Sequence, residues 1–241
     1  MALIERILSE MGGMRKPDKR PFVTLSYAQS LDGSIAAKPG EQFMISGDSA
    51  ARFTHQLRAH HDGILVGIGT VLADDPQLSV RLVAGEDPQP IVLDSHLRMP
   101  REAVLIKSHT PWIATTDQAD SQRVSEFEAN GIRMLTLPAD YAGQVSLADL
   151  MVGLDQEGID TLMVEGGAQV ITSFLTQRLV DLFVLTISPL LLGGLRVIDS
   201  QLTENNGSSK IDSIRIKDME VGALGTDLIV WGHPQWPEER G

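Results

Sequence analysis

Short, continuously apolar runs alternate with helix-patterned segments along most of this chain, and that alternation restricts the fold more than any other feature. Phe22–Ala28, Gly63–Gly67, Ile91–Leu93, Trp112–Ala114, Arg133–Leu137, Thr161–Val164 and Leu182–Ile187 read as strands. Between them Asp48–Ala59, Ser121–Asn130, Ser146–Gln156 and Ala168–Leu179 carry helical spacing, with Ser46 as the expected cap of the first. A strand that is apolar at successive positions must be covered on both faces. The pattern therefore predicts a mostly parallel sheet between two helical layers. The end of the chain departs from it. Ile211–Met219 and Leu228–Trp231 have no helix between them, only Gly222 and Gly225, and predict an antiparallel pair at the sheet end.

A chain of 241 residues is long enough for one large α/β domain. Residues 1–20 are expected to form an N-terminal helix (Ala2–Met11), an appendage, followed by a basic linker. Residues 21–232 form the body and 233–241 a tail. The absence of Cys excludes thiolate nucleophiles, disulfide scaffolds and cysteine-based metal sites. With 20 Lys+Arg against 32 Asp+Glu the net charge is −12, which argues against a duplex-binding protein. No apolar run approaches the ~20 residues of a membrane span. The first residues carry Glu5 and Glu10 in place of a basic leader, so a cytoplasmic location is expected.

In open α/β sheets, ligands sit at the carboxyl ends of the strands. Five polar clusters follow strand runs. Glu165-Gly166-Gly167 separates a strand from a helix, where two glycines admit a close backbone approach and the helix start favours an anion. A tight turn explains one of these glycines but not readily both. Gly67-Ile68-Gly69-Thr70, with Asp74-Asp75-Pro76 after it, has Leu72 where a dinucleotide fingerprint has its third glycine. It is equally a strand-to-helix turn. Ser30-Leu31-Asp32-Gly33 is a polar loop, or simply a turn. Arg58 and Arg81 could together hold a phosphate, or be two solvated surface residues. Asp94-Ser95 is either a ligand contact or a cap.

The six histidines make no metal pattern, no nucleophile elbow occurs, and there is no Walker loop. Anion cradles, arginines and carboxylates without a nucleophile suit chemistry carried by a bound cofactor. The residues alone do not name the reaction.

The runs PFVTLSYAQSLDGSIA (21–36), ISG (45–47), LRAHHDGILVGIGTVLADDPQLSVR (57–81), PIVLDS (90–95), VEGGAQVITSFL (164–175) and LVDLFVLTISPLLLGG (179–194) resemble the pyrimidine reductases of riboflavin biosynthesis. The resemblance covers residues 21–232, nearly the whole body. It implies a dihydrofolate-reductase-like, three-layer α/β/α fold, a homodimer, and NADPH as hydride donor. It implies a phosphoribosylaminopyrimidine substrate whose ribosyl group becomes ribityl. In many bacteria the reductase follows a zinc deaminase, and this chain is expected to be the stand-alone form.

Matching positions imply cofactor contacts at Ala28, Met44, Gly67, Thr70, Asp74, Ser95 and the run Gly166, Gly167, Ala168, Gln169, Val170 and Ile171. They imply substrate contacts at Gln42, Arg58, Leu78, Arg81 and Glu165, with Asp32 near the reacting ribose; Asp32, Glu165 or water would handle protons, and the sequence does not choose among them. The fused bacterial enzymes often carry Lys where this chain has Ser26 and a basic residue where it has Ser34. YAQSLD resembles the stand-alone fungal type, which favours the 2,5-diamino pyrimidinone over the aminouracil as substrate. A pterin or dihydrofolate-like reductase and a non-catalytic nucleotide-binding module are the remaining alternatives.

Overall fold

The computed structural model describes residues 3–13, 17, 19–38, 44–197 and 214–236. Its centre is a nine-stranded sheet in the order β10-β11-β8-β1-β7-β3-β4-β5-β6. The strands are β1 (Phe22–Ser30), β3 (Gly63–Gly67), β4 (Gln89–Leu93), β5 (Trp112–Thr116), β6 (Arg133–Leu137), β7 (Thr161–Gly166), β8 (Leu182–Ser188), β10 (Arg215–Leu224) and β11 (Asp227–Gln235). From β8 to β6 all neighbours are parallel. The hairpin β10–β11 joins β8 antiparallel, as the helix-free end of the sequence predicts. Gly222 lies within β10, and the turn is made at Gly225, with φ +63°.

Alternation along each buried strand feeds two layers. Leu65, Ile91 and Ala114 face one side, where α6 (Leu147–Gln156) and α7 (Ala168–Thr176) cover them with Leu150, Leu154, Ile171 and Phe174. Ile64, Val66, Val92 and Ile113 face the other, against α3 (Ile68–Asp74), α4 (Val104–Ser108) and α5 (Ser121–Ala129). Ser146 caps α6: its Oγ accepts from the N–H of Asp149.

Four features differ from the sequence reading. Helix α1 (Leu3–Gly13) is not an appendage. Its Ile7 is fully buried, and it closes a third core with Phe53, Leu57, Ile229 and Trp231. Arg6 lies over the Trp231 ring and pairs with Glu220. Helix α2 (Asp48–Arg58) is capped at Gly47, not Ser46, and no side chain closes that cap. Instead the Gly47 N–H donates to the buried Asp227 carboxylate at 2.8 Å. A short helix, α3, follows β3 from its cap at Gly67 and is missing from the helical segments read in sequence. A two-stranded ribbon of β2 (Ser34–Ala36) and β9 (Leu195–Arg196) lies beside the main sheet. Strands of two or three residues leave too little alternation to be seen in sequence.

Candidate active site at the carboxyl ends of β3 and β7

β7 lies between β1 and β3, although β3 to β6 all precede it in the chain. The order of strands reverses at that place, and such a reversal opens a crevice above the strand ends. The β3–β7 register is regular to Leu65↔Val164 and then pairs Val66 with Gly166. Glu165 is thus the extra residue of a bulge, a device that re-aims a side chain. It projects to the face that carries α2.

There Arg58, the last residue of α2, meets it. Nε donates to Oε1 at 2.7 Å and a terminal nitrogen to Oε2 at 2.6 Å. The third contact, from the other terminal nitrogen, goes to the Ser79 carbonyl at 3.0 Å. Burial works against the charge on Arg58. The nearby Glu165 more than offsets this, so the guanidinium titrates above its usual range. A fork-on-fork pair of this kind fixes both planes and still leaves guanidinium hydrogens free on its outer edge.

Directly after Glu165 the chain turns into α7 through Gly166 and Gly167. Gly167 has φ +79°, a conformation costly for any side chain, and it is the N-cap of α7 with no side chain closing it. A Cβ on Gly166 would come within 3.0 Å of Thr70 Oγ1, and one on Gly67 within 2.7 Å of Val170 Cγ2. The ends of β3 and β7 therefore approach so closely that a side chain at Gly67 would displace Val170 and one at Gly166 would press on Thr70. The result is a backbone surface with donors at the start of α7 claimed by no capping side chain. The phosphates of a dinucleotide fit such a surface. Within the first turn of α7, Val170 and Ile171 point into the core, so Gln169 is the exposed side chain.

The other expected contacts fall at different distances from this centre. Ala28 is half-buried near the end of β1, and Met44 is 77% exposed just before α2. Asp74 ends α3, where burial pushes its carboxyl above the usual range. Leu78 turns its side chain into the core with φ +55°, which leaves only its backbone to face a ligand. Ser95 Oγ donates to Gln144 Oε1 and accepts from the Val145 N–H, so it anchors the loop before α6. Arg81 is exposed. Gln42 lies outside the described residues.

Asp32 is tied differently from the expectation of a proton donor. Its carboxylate accepts from the hydroxyls of Ser30 and Ser34 and from the N–H groups of Leu192 and Gly193. Hydrogen bonds from Ser30, Leu192 and Gly193 hold its pKa well below the usual carboxylate range. It joins the loop after β1 to the loop after β8.

Sequence reasoning missed two residues near the site. Asp227 ties the start of α2 to Ser188 at the end of β8, whose hydroxyl donates to it at 2.6 Å. His55 is buried and accepts from the Arg81 N–H. Its spacing of three from Arg58 was the available signal.

The layers and strand order define the class: an α/β protein with the dihydrofolate reductase fold. A dihydrofolate reductase from Enterococcus faecalis shares it at a TM-score of 0.50 and 12% identity, over 88% of this chain and 96% of that one. The model of the RibD C-terminal domain matches residues 21–230, and the chain belongs to that family. A 2,5-diamino-6-ribosylamino-4(3H)-pyrimidinone 5′-phosphate reductase from Debaryomyces hansenii is 39% identical over 197 residues, 74% of this chain and 79% of the relative. Riboflavin biosynthesis protein RibD of Aquifex aeolicus is 33% identical over 88% of this chain, which spans 58% of that protein's length. The structure of the Saccharomyces riboflavin biosynthesis reductase Rib7 superposes with a TM-score of 0.74 at 28% identity, over 96% of this chain and 99% of that one.

Proposed function

We propose that the protein is an NADPH-dependent reductase of riboflavin biosynthesis. Its substrate is 2,5-diamino-6-ribosylamino-4(3H)-pyrimidinone 5′-phosphate, and the ribosyl group is reduced to ribityl. The observation that carries this reading is the Arg58–Glu165 pair set immediately before the Gly166–Gly167 turn. A pyrimidine and a dinucleotide would thereby be held by consecutive residues of one strand end. The name and 79% coverage of the Debaryomyces relative support the substrate.

When bound, the reduced nicotinamide supplies hydride to C1′ of the ring-opened ribosylamine. The chain's own residues do the rest. The N–H groups at the start of α7 hold the cofactor's phosphates, and the glycines keep side chains out of their way. Glu165, fixed by Arg58, presents its oxygens to the N–H edge of the pyrimidine. Arg81, exposed at the rim, meets the 5′-phosphate. Ala28, Met44, Thr70 and Asp74 would contact the nicotinamide nucleotide, and Ser95 would support that wall through its hold on the loop before α6. Asp32 is held too far into its ionised form to donate a proton, and Glu165 already accepts two bonds from Arg58. The proton required at nitrogen is therefore assigned to water, and Asp32 to shaping the loops above β1 and β8.

The homodimer follows the family resemblance. β10 is an edge strand with Met219 and Val221 more than half exposed, a surface that pairing of two copies would cover. Among the described residues no helix is long and apolar enough to cross a membrane, and we place the enzyme in the cytoplasm.

The test is turnover of the diamino pyrimidinone and of 5-amino-6-(5-phosphoribosylamino)uracil, side by side, with NADPH and NADH. The expected result is a higher kcat/KM for the diamino compound with NADPH. Preference for the aminouracil would reassign the substrate. Oxidation with neither would end the reductase reading.

A further inference from the structure

His55 and Arg58 lie three positions apart and so share one face of α2. From that face they grip the same short segment, Leu78–Arg81. Arg58 donates to the Ser79 carbonyl at 3.0 Å, and His55 Nδ1 accepts from the Arg81 N–H at 3.1 Å. The other two residues of the segment complete the hold. Leu78 is buried, and the Val80 N–H donates to Asp87 Oδ1 at 2.6 Å. Every residue of the segment is therefore fixed, while the Arg81 side chain stands exposed at its end.

The His55 contact has a definite chemistry. A backbone N–H can only donate, so Nδ1 must be unprotonated and the ring hydrogen sits on Nε2. Burial, and then the positive charges of Arg58 and Arg81, hold His55 below its usual pKa, with Glu165 and Asp87 acting the other way. The neutral ring is the favoured form. Fixing the Arg81 amide fixes the direction in which its side chain leaves the backbone. A guanidinium on four flexible bonds can meet a phosphate with little ordering cost only if its root does not wander.

We infer that His55 is a positioning residue for phosphate recognition: its bare Nδ1 locks the Arg81 backbone so that the guanidinium is aimed at the substrate's 5′-phosphate. The inference rests on the reading of Arg81 given under the proposed function. His55 touches neither substrate nor cofactor in this account.

The experiment compares His55→Leu, His55→Asn, His55→Gln, Arg81→Ala and the double variant His55→Leu/Arg81→Ala, with melting curves to confirm folding. The amide oxygen of Asn reaches the place of Nδ1, whereas that of Gln reaches the place of Nε2. His55→Leu and His55→Gln should raise KM for the phosphorylated pyrimidine about tenfold, the scale of one lost buried hydrogen bond. KM for NADPH should stay within about twofold. His55→Asn should restore most of the loss. The double variant should be no worse than Arg81→Ala.

If Arg81→Ala raises the substrate KM and neither His55→Leu nor His55→Gln does, the phosphate reading stands and the inference fails. Additive losses in the double variant also overturn it, because they separate His55 from Arg81. Equal behaviour of Asn and Gln does the same, and remains readable even where His55→Leu does not fold. An Arg81→Ala enzyme with unchanged substrate KM removes the phosphate reading and the inference together.

Discussion

Arg58 and Glu165 stand 107 positions apart in sequence and meet through two parallel hydrogen bonds of 2.7 and 2.6 Å. With side chains 12% and 13% exposed, the pair is largely withdrawn from water. Either partner alone would leave an uncompensated charge at the head of the crevice. Replacing Arg58 by Ala should raise KM for the phosphorylated pyrimidine by the equivalent of about 2–5 kcal/mol. Steady-state kinetics with the purified variant, alongside its melting curve, checks this. An unchanged KM would remove Arg58 from the substrate side.

The Gly167 position separates two effects that a single substitution confounds. Its φ of +79° makes any side chain strained, and the same is true of Gly158 (φ +81°) in the turn after α6, which precedes β7. Gly167→Asp should abolish NADPH binding, since it adds a negative charge to the phosphate cradle. Gly158→Ala should cost roughly 1–3 kcal/mol of stability and leave binding intact. Titration of NADPH fluorescence on both variants distinguishes them. Normal affinity in Gly167→Asp would place the cofactor elsewhere.

His61 gives the fold a pH dependence. It lies buried between α2 and β1, with Nδ1–H donating to the Leu57 carbonyl at 2.7 Å and Nε2 accepting from the Thr24 hydroxyl at 2.8 Å. Burial pushes its pKa down to about 4. The unfolded chain takes up this proton near pH 6.5 and the native one only near 4, so stability falls as the pH drops through that interval. The loss should total ~3 kcal/mol and then level off. Urea melts of the parent and His61→Phe between pH 4 and 8 should show that slope only in the parent.

If Asp32 ties loops and moves no proton, Asp32→Asn should lower kcat by less than about tenfold, against the 10²–10⁴ expected of a lost general acid. The pH profile of kcat should keep its shape. Cleavage by protease between residues 188 and 196 should instead become faster, because two N–H groups there lose a charged acceptor. A collapsed kcat with normal protease resistance would return Asp32 to the chemistry.

Ile7→Ala tests the docking of α1. Truncating a fully buried Ile should cost about 2–5 kcal/mol and lower the melting temperature, with KM for both substrates unchanged. A variant as stable as the parent would mean that α1 contributes little to the third core.

The sheet was legible because seven of its strands carry apolar runs bounded by turn residues, and Gly63–Gly67 and Arg133–Leu137 match the structure to the residue. Elements whose identity depends on distant partners were not. Ser46 has the right chemistry for a cap, yet the helix starts at Gly47, whose N–H is held by Asp227, 180 positions away. Helix α1 reads as an isolated amphipathic stretch, and its true partner, Trp231, lies at the other end of the chain. At the site, local residue types disclosed the glycine turn and Glu165. The pairing of Glu165 with Arg58 depends on a bulge, which no single-strand pattern reveals. Ser95 and Leu78 show the converse limit, since matching positions marked them as ligand contacts while their side chains are committed to holding the fold.

The place of β7 between β1 and β3 has a consequence for how the molecule is made. During synthesis, β1 and β3 emerge from the ribosome roughly a hundred residues before the strand that must be inserted between them. The central ladder cannot close until most of the chain exists, and such long-range parallel pairing is slow. Glu165 and the glycine turn ride on that late strand. The catalytic crevice is thus among the last features to appear, and a nascent chain that stops short of it would have apolar strand edges exposed and no active site to show for them.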